Sequence, residues 1–439
     1  MGCLPVKNPK DYPAECFSSG SFCLMNSLFD KKSAVPVGVS RVVVYVPISQ
    51  TKGSFMNCLV SVIVPVCNVE TYLEQALNTL KSQTLCDIEV ICVDDGSTDS
   101  SRSIIEGYCE RDARFRLMAQ NNRGAALARN RGLGEASGKY VIFLDSDDFF
   151  EPTLLQRMYE RIEEYGADIC LCGAYNFNCL RGVEEKSNAV LKTGYLQGVD
   201  VFSSANMPAT LFSTTSPAPW SKLYRRDFLI AHNHYFQDLG NSNDVFFYVS
   251  TFASAAKIVY VPECLIHYRL ARPGSLQNSD RIKNPEDFCV ALRASFRYLE
   301  DEGYLPALQE AFTDLAADIV TFNLSSALCV SQWFEVYKCS QTFANDINSH
   351  FALMENGRFA SSWLLLCKKI ENVPPSEYLW REWAVERDRA RENDRNLIIE
   401  REKVAKEKER TQEICSSNSY RIGRAVTMPL RKMKKFIKR

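Results

Sequence analysis

Tyr140-Val141-Ile142-Phe143-Leu144-Asp145-Ser146-Asp147-Asp148 runs five apolar or aromatic residues straight into three carboxylates within four positions. A short continuous apolar run bounded by polar residues suits a strand buried on both faces. The acids then fall at the carboxyl end of that strand, where open α/β sheets bind their ligands. Carboxylates crowded together repel one another unless something cationic neutralises them. A hard divalent ion that also holds phosphate oxygens answers that requirement. Alone, the stretch is equally an acidic turn capping the following helix.

The flanking sequence bears on the choice. Leu59–Val66 is a β-branched apolar run, and Ile88–Val93 is a second one that enters Asp94-Asp95-Gly96-Ser97. Arg114–Ala119 reads as a third strand and Asp168–Cys172 as one beyond the opening stretch. Helical spacing fills the intervals from about Thr71 to Gln83, Ser97 to Asp112, Gly124 to Ala136 and Pro152 to Tyr165. Strands alternating with helices predict βαβ units and an α/β fold with a mostly parallel sheet. Right-handed crossovers bring every such strand's carboxyl end to one edge. The loop after Val66, the pair Asp94-Asp95 and the cluster Asp145–Asp148 are therefore expected to line one cleft, which favours the metal reading. A GxxxxGK[ST] loop is absent, as is a GxGxxG after the first strand, so P-loop and dinucleotide chemistry are set aside.

The bulk properties are those of a soluble chain of two or three domains. Of its 439 residues 46% are hydrophobic and 24% charged. Charge is uneven: Tyr420–Arg439 holds eight Lys or Arg and no acid, so the rest carries −9 against a total of −1. An acidic body argues against nucleic-acid binding. The 17 cysteines form no CxxC pair, and many sit inside apolar runs, which fits small buried hydrophobes in a reducing, cytoplasmic setting. Met1-Gly2-Cys3-Leu4-Pro5-Val6 has Val where a myristoylation signal needs Ser or Thr. Residues 1–57 lack periodicity and read as a poorly ordered extension, with Met56 a candidate start for a shorter natural protein.

Taken together, these motifs resemble the family 2 glycosyltransferases of the GT-A fold. The resemblance rests on Val62-Ile63-Val64-Pro65-Val66-Cys67-Asn68, Val93-Asp94-Asp95-Gly96-Ser97-Thr98-Asp99 and Asn121-Asn122-Arg123-Gly124. It continues through Ala128-Arg129-Asn130-Arg131-Gly132 and Phe143–Asp148 in the same order. Looser similarity follows at Trp220-Ser221-Lys222-Leu223-Tyr224, Asn243-Asp244-Val245-Phe246 and His267-Tyr268-Arg269. The resemblance implies an inverting transfer from a nucleotide-diphospho sugar to a glycan or lipid-linked acceptor, in surface polysaccharide or glycoconjugate synthesis. Residue by residue, it implies that Pro65, Val66, Asn68 and Asp94 hold the nucleotide. For Asp95, beside Gly96, orienting the Gly96–Thr98 turn is an equal alternative. Asp145 and Asp147 are implied as the Asp-x-Asp pair for ribose and a Mg²⁺ or Mn²⁺ ion, leaving Asp148 to begin the next helix. Arg129 is implied at the phosphates or in a structural salt bridge. Trp220 is implied in the acceptor floor, with a plain core Trp as the equal alternative, and His267 at the diphosphate, with a satisfied structural histidine as the equal alternative. Lys222 and Arg269 are implied toward the acceptor or diphosphate. Asp244 is the implied catalytic base, since an acceptor hydroxyl must lose its proton as it attacks. Where the family usually has Glu-Asp this chain has Asn243-Asp244, which keeps alive a catalytically impaired, glycan- or nucleotide-sugar-binding alternative.

The glycosyltransferase domain is expected over 58–278 and a helical subdomain over 279–373, its core stripe including Phe288, Leu292, Phe312, Leu315 and Phe322. A charged helix or weak coiled coil and a basic amphipathic tail are expected over 374–439. That tail mixes Ile422, Val426, Leu430 and Phe436 with its cations, which suits a peripheral contact with an anionic membrane surface. Removing everything after Ser417 is expected to abolish flotation with anionic liposomes; unchanged flotation would refute a membrane role for the tail.

Overall fold

The computed structural model describes residues 58–270, 284–327, 329–352, 359–370, 373–375 and 377–378. The expected extension at 1–57, the charged helix and the basic tail lie outside these residues, apart from the stub at 373–378.

The described residues open with β1 (Val60–Val66), α1 (Glu70–Lys81), β2 (Ile88–Asp95), α2 (Ser101–Arg111), β3 (Phe115–Gln120), α3 (Ala125–Glu135) and β4 (Tyr140–Phe143). These are the expected alternating units, with β1 wholly buried as its β-branched run requires. There follow β5 (Phe149–Phe150), α4 (Leu154–Tyr165), β6 (Ile169–Asn178), β7 (Val183–Lys186), β8 (Val201–Phe202) and β9 (Lys222–Arg225). Next come α5 (Arg226–Ala231), α6 (Asn243–Ser254) and β10 (Ile258–Leu270), and then the helices α7 (Asp287–Asp301), α8 (Leu305–Ser325), α9 (Val330–Ala352) and α10 (Ser361–Ile370).

One sheet runs β3-β2-β1-β4-β9-β6-β10-β5, with β7 beside β6 and β8 beside β10. Pairings β3-β2, β2-β1, β1-β4 and β6-β10 are parallel. β9 enters antiparallel between β4 and β6, so those two still point the same way. The mostly parallel sheet is therefore as expected, but the antiparallel strands β5, β7, β8 and β9 were not. Each is only two to four residues long, too short to show a run of its own, and β9 is held between β4 and β6. β6 is also longer than expected, because its outer half pairs with β7 and β10 beyond the core.

Helices cover both faces. α1, α2 and α4 pack Leu73, Leu77, Ile105, Leu155 and Met158 on one side, against Val62, Val64 and Ile142. On the other side α3, α6 and the helices α7–α10 share a core with Ile63, Val141 and Phe143. The alternate residues of β1 and β4 thus divide between two cores, as the pleat dictates. The predicted aromatic stripe of the helical region is mostly core, with Phe288 and Phe312 buried; Phe322 is an exception at 52% exposed. Which side of a long helix is covered depends on its partners, which helical spacing alone does not fix. α4 ends where Gly166 adopts φ 57°, letting Ala167 N–H reach the Ile162 carbonyl. Among the described residues no helix is long and apolar enough to cross a membrane.

A buried acid locks the far end of the sheet. Glu89, 1% exposed by its side chain, accepts from Ser61 Oγ (2.6 Å), Ser137 N–H (2.7 Å) and Arg116 Nη1 (2.9 Å). Burial alone pushes this carboxyl up, but the hydrogen bonds outweigh it and hold Glu89 below the usual range. A depressed folded value means that the stabilisation is present above the unfolded carboxyl's range and is lost as pH falls through the folded value. Glu89→Ala is expected to cost about 2–4 kcal/mol of stability at pH 7 by stranding its donors, measured by urea unfolding. The gap between wild type and variant should narrow at acid pH.

Candidate active site

Three strand ends build the cleft. In the parallel register Val66 lies level with Asp94, and Ile63 level with Phe143, one residue short of Leu144 and two short of Asp145. The acids after β2 and β4 therefore share an edge, as the alternation required. Pro65 and Val66 are interior strand residues, and the loop proper begins at Cys67. Asn68, exposed and at φ 51°, ties that loop to the next one: its side-chain oxygen accepts from Thr98 N–H at 2.8 Å.

Asp94 and Asp95 are both buried but do different jobs. Asp94 Oδ1 accepts from Ser97 N–H (3.1 Å), so it is Asp94 that orients the turn at Gly96, which needs φ 74°. A Cβ on Gly96 would meet Asn122 N at 2.9 Å. Asp95 reaches the other way, accepting from Arg123 N–H (2.8 Å), Gly124 N–H (2.7 Å) and Gln120 Nε2 (2.8 Å). It thus anchors the entrance to α3, where negative charge is favoured. The turn-orienting role expected of Asp95 belongs to its neighbour.

At the end of β4, Asp145, Asp147 and Asp148 bring one carboxylate oxygen each to within 4.8 Å of one another. Asp145 and Asp147 are half-buried and Asp148 is fully buried. Arg129 from α3, 8% exposed, donates from Nη2 to Asp145 Oδ1 at 2.7 Å, with its guanidinium 5.4 Å from the Phe236 ring. The salt-bridge alternative for Arg129 and its placement at the acidic site thus coincide in one contact.

Asp148 does not begin the next helix. Four residues separate it from Thr153, the cap of α4. Instead its Oδ1 accepts Arg269 N–H at 2.9 Å, while its Oδ2 is buried with no partner. Burial first, and then the charges of Asp147 and Asp145, hold its carboxyl well above the usual range. An orphaned oxygen inside a cluster of three acids fits a hard divalent cation by chemistry of the donor set. Arg269, 6% exposed, braces the same turn: Nε donates to the Asp147 carbonyl (2.5 Å) and Nη2 to Gln75 Oε1 (2.6 Å). His267 sits between Glu151 (3.0 Å from Nε2) and Glu184, which meets Nδ1, and stacks on Phe149 at 4.3 Å. It joins β5 to β7 beside the cluster.

Asp244 lies in the first turn of α6, whose cap position is Ser242, so the residue is inside the helix rather than capping it. It is half-buried. Burial raises its carboxyl above the usual range, Asp145 adds to this, and Arg129 and Lys222 oppose it. Asp244 thus lies near enough to Arg129, Lys222 and Asp145 to feel their charges. Trp220, 5% exposed, is stacked on Tyr268 at 5.0 Å. Lys222 departs furthest from expectation. None of it reaches solvent, so the direct acceptor or diphosphate contact expected of it is corrected: its ammonium donates to the carbonyls of Ser216 (2.8 Å) and Ala218 (2.6 Å). Burial pulls its pKa down to about 7, with the Asp244 charge opposing. Gln75 and Glu151, which complete the Arg269 and His267 contacts, went unnoticed in the sequence because neither belongs to a motif.

A fold and an acidic cleft of this kind can be compared with known proteins. The family model described as glycosyl transferase family 2 matches residues 61–232. EpsH of Bacillus subtilis (strain 168) is 33% identical over 280 residues, covering 62% of this chain and 77% of that protein. The uncharacterized glycosyltransferase EpsJ of the same organism is 35% identical over 223 residues, covering 50% of this chain and 62% of that one. Glycosyltransferase GlyA of Streptococcus pneumoniae is 34% identical over 221 residues, 49% of this chain and 31% of GlyA. The chain thus spans about a third of GlyA and three fifths of EpsJ. Among solved structures, residues 1–349 of S. aureus TarS in complex with UDP-GlcNAc match with a TM-score of 0.54 at 22% identity, over 71% of this chain and 90% of that one, which is a likeness of fold. The sheet order, the acids at its carboxyl edge and the identity to EpsH over most of that protein's length make this chain a member of the family 2 glycosyltransferases, with the GT-A fold.

Proposed function

We propose that the chain transfers a sugar from a nucleotide-diphospho sugar to an acceptor hydroxyl with inversion, in the assembly of surface polysaccharide or a related glycoconjugate. The observation that carries this reading is the convergence of Asp94, Arg129 and the Asp145–Asp148 turn on one sheet edge, with Asp244 within reach of the Arg129 and Asp145 charges. Family membership supports the reaction class, and TarS, a poly(ribitol-phosphate) β-N-acetylglucosaminyltransferase crystallised with UDP-GlcNAc, supports a uridine-linked donor.

In this reading Asp94 and the Asn68 loop bind the nucleotide, and Arg129 faces the diphosphate side through Asp145. Asp145 and Asp147, with Asp148 behind them, would hold Mg²⁺ or Mn²⁺, which stabilises charge developing on the departing diphosphate. Asp244 accepts the proton of the acceptor hydroxyl as that oxygen bonds to the anomeric carbon. The bond from that carbon to the diphosphate oxygen breaks with its electron pair, and the nucleoside diphosphate leaves. Attack from the face opposite the leaving group inverts the centre. A partly desolvated base suits this task because a carboxyl above the usual range is a stronger proton acceptor. The expected acceptor is a glycan or lipid-linked glycan, and the expected membrane contact is peripheral.

Asp244→Asn is expected to lower release of nucleoside diphosphate by about 10²–10⁴-fold while UDP affinity changes little. Isothermal titration with UDP and Mn²⁺ beside a turnover assay separates the two effects. Because Asp244 must be ionised to act, wild-type turnover should fall on acidification at a pH above the ordinary aspartate range. Full turnover in Asp244→Asn would remove Asp244 as the base, and no release from any nucleotide sugar by the wild type would favour the non-catalytic binding alternative.

A further inference from the structure

The stretch between Leu211 and Ser221 runs from one short 3-10 turn to another and carries Trp220. Such irregular backbone has carbonyls with no ladder to join, and buried carbonyls need donors from elsewhere. Two core side chains supply them. Tyr248 hydroxyl donates to the Phe212 (3.0 Å) and Thr215 (3.2 Å) carbonyls. Lys222 ammonium donates to those of Ser216 and Ala218, and lies 5.4 Å from the centre of the Tyr248 ring. Tyr248 stands one turn after Asp244 on α6, and Lys222 begins β9, which is clamped between β4 and β6. At its far end the loop stacks Trp220 on Tyr268, next to the Arg269 that braces the Asp147-Asp148 turn.

The loop therefore bridges the helix that carries Asp244 and the turn that carries the acidic cluster. An ordinary structural loop would be held by apolar contacts or neutral donors; burying a whole ammonium costs solvation that such contacts avoid. Its placement is explained if its hydrogen bonds to the Ser216 and Ala218 carbonyls fix the course of this loop.

We infer that Lys222 and Tyr248 are positioning residues that register the Leu211–Ser221 loop, and with it the acceptor side of the cleft, against the Asp244 helix. This rests on the reading of Asp244 as the base. Neither residue touches the donor; both act through the loop. Disturbing them lowers turnover without loosening the nucleotide.

The experiment uses the full chain and measures UDP release with Mn²⁺ from whichever of UDP-GlcNAc, UDP-glucose and UDP-galactose the wild type hydrolyses. It is run well below the unfolding midpoint of each variant. Tyr248→Phe keeps the ring and loses only the hydroxyl. It is expected to lower kcat about tenfold, with donor KM and UDP affinity within about twofold of wild type. Lys222→Met should lower kcat further, and Lys222→Gln, which retains two N–H donors, should recover part of the loss. If the lysine variants do not fold, Tyr248→Phe decides alone. Unchanged kcat in Tyr248→Phe overturns the inference, as does a fall in kcat matched by equal weakening of UDP binding. A wild type that releases UDP and an Asp244→Asn variant that does not would leave the parent reading standing in either case. A fully active Asp244→Asn, or a wild type that hydrolyses none of the donors, defeats the parent reading and this inference together.

Discussion

Like-charge crowding at the end of β4 is the constraint on which the rest of the site depends. Two unit charges about 4 Å apart repel by roughly 4 kcal/mol in surroundings of intermediate polarity, and here three carboxylates share that space. Arg129 pairs with Asp145, and Asp148 has one oxygen on the Arg269 main chain and the other without a partner. That orphaned oxygen, in a fold rigid enough to keep the three acids together, is the feature that supports the cation proposed above.

Rigidity comes from the sheet. β4 is four residues long and sits between β1 and β9, each of which holds it in register. Its side chains alternate between two cores, so neither face is free to shift. The return of β10 then pairs with β5 just beyond the acids and delivers His267 and Arg269 to the same turn. The acidic turn is thus trapped between its own strand and a strand more than a hundred residues later.

This explains what could be read in the sequence and what could not. The parallel half of the fold was legible, because β1, β2 and β4 are buried on both faces and their apolar runs are continuous. The acids at the strand ends were legible for the same reason: a run that must be buried locates whatever follows it. The jobs of individual acids were not. Asp94 and Asp95 point to opposite sides of the strand, and which one meets the Ser97 turn depends on pleat phase at its last residue. Asp148 looked like a helix cap because its partner lies 121 positions away. Lys222 was expected at the acceptor or diphosphate because Lys usually keeps its charge in reach of solvent, and only the loop folded over it makes its burial tolerable.

The departure at Asn243 can be argued in the same terms. A carboxylate at this position would add a negative charge beside Asp244, and would raise further a carboxyl already lifted by burial. Asn243 instead donates from Nδ2 to the Leu239 carbonyl at 3.3 Å, a contact that an ionised acid cannot make. The amide holds the chain that leads into α6 while leaving the local field to Arg129 and Lys222. With one fewer acid beside it, Asp244 ionises more readily, which is compatible with the role of base proposed for it.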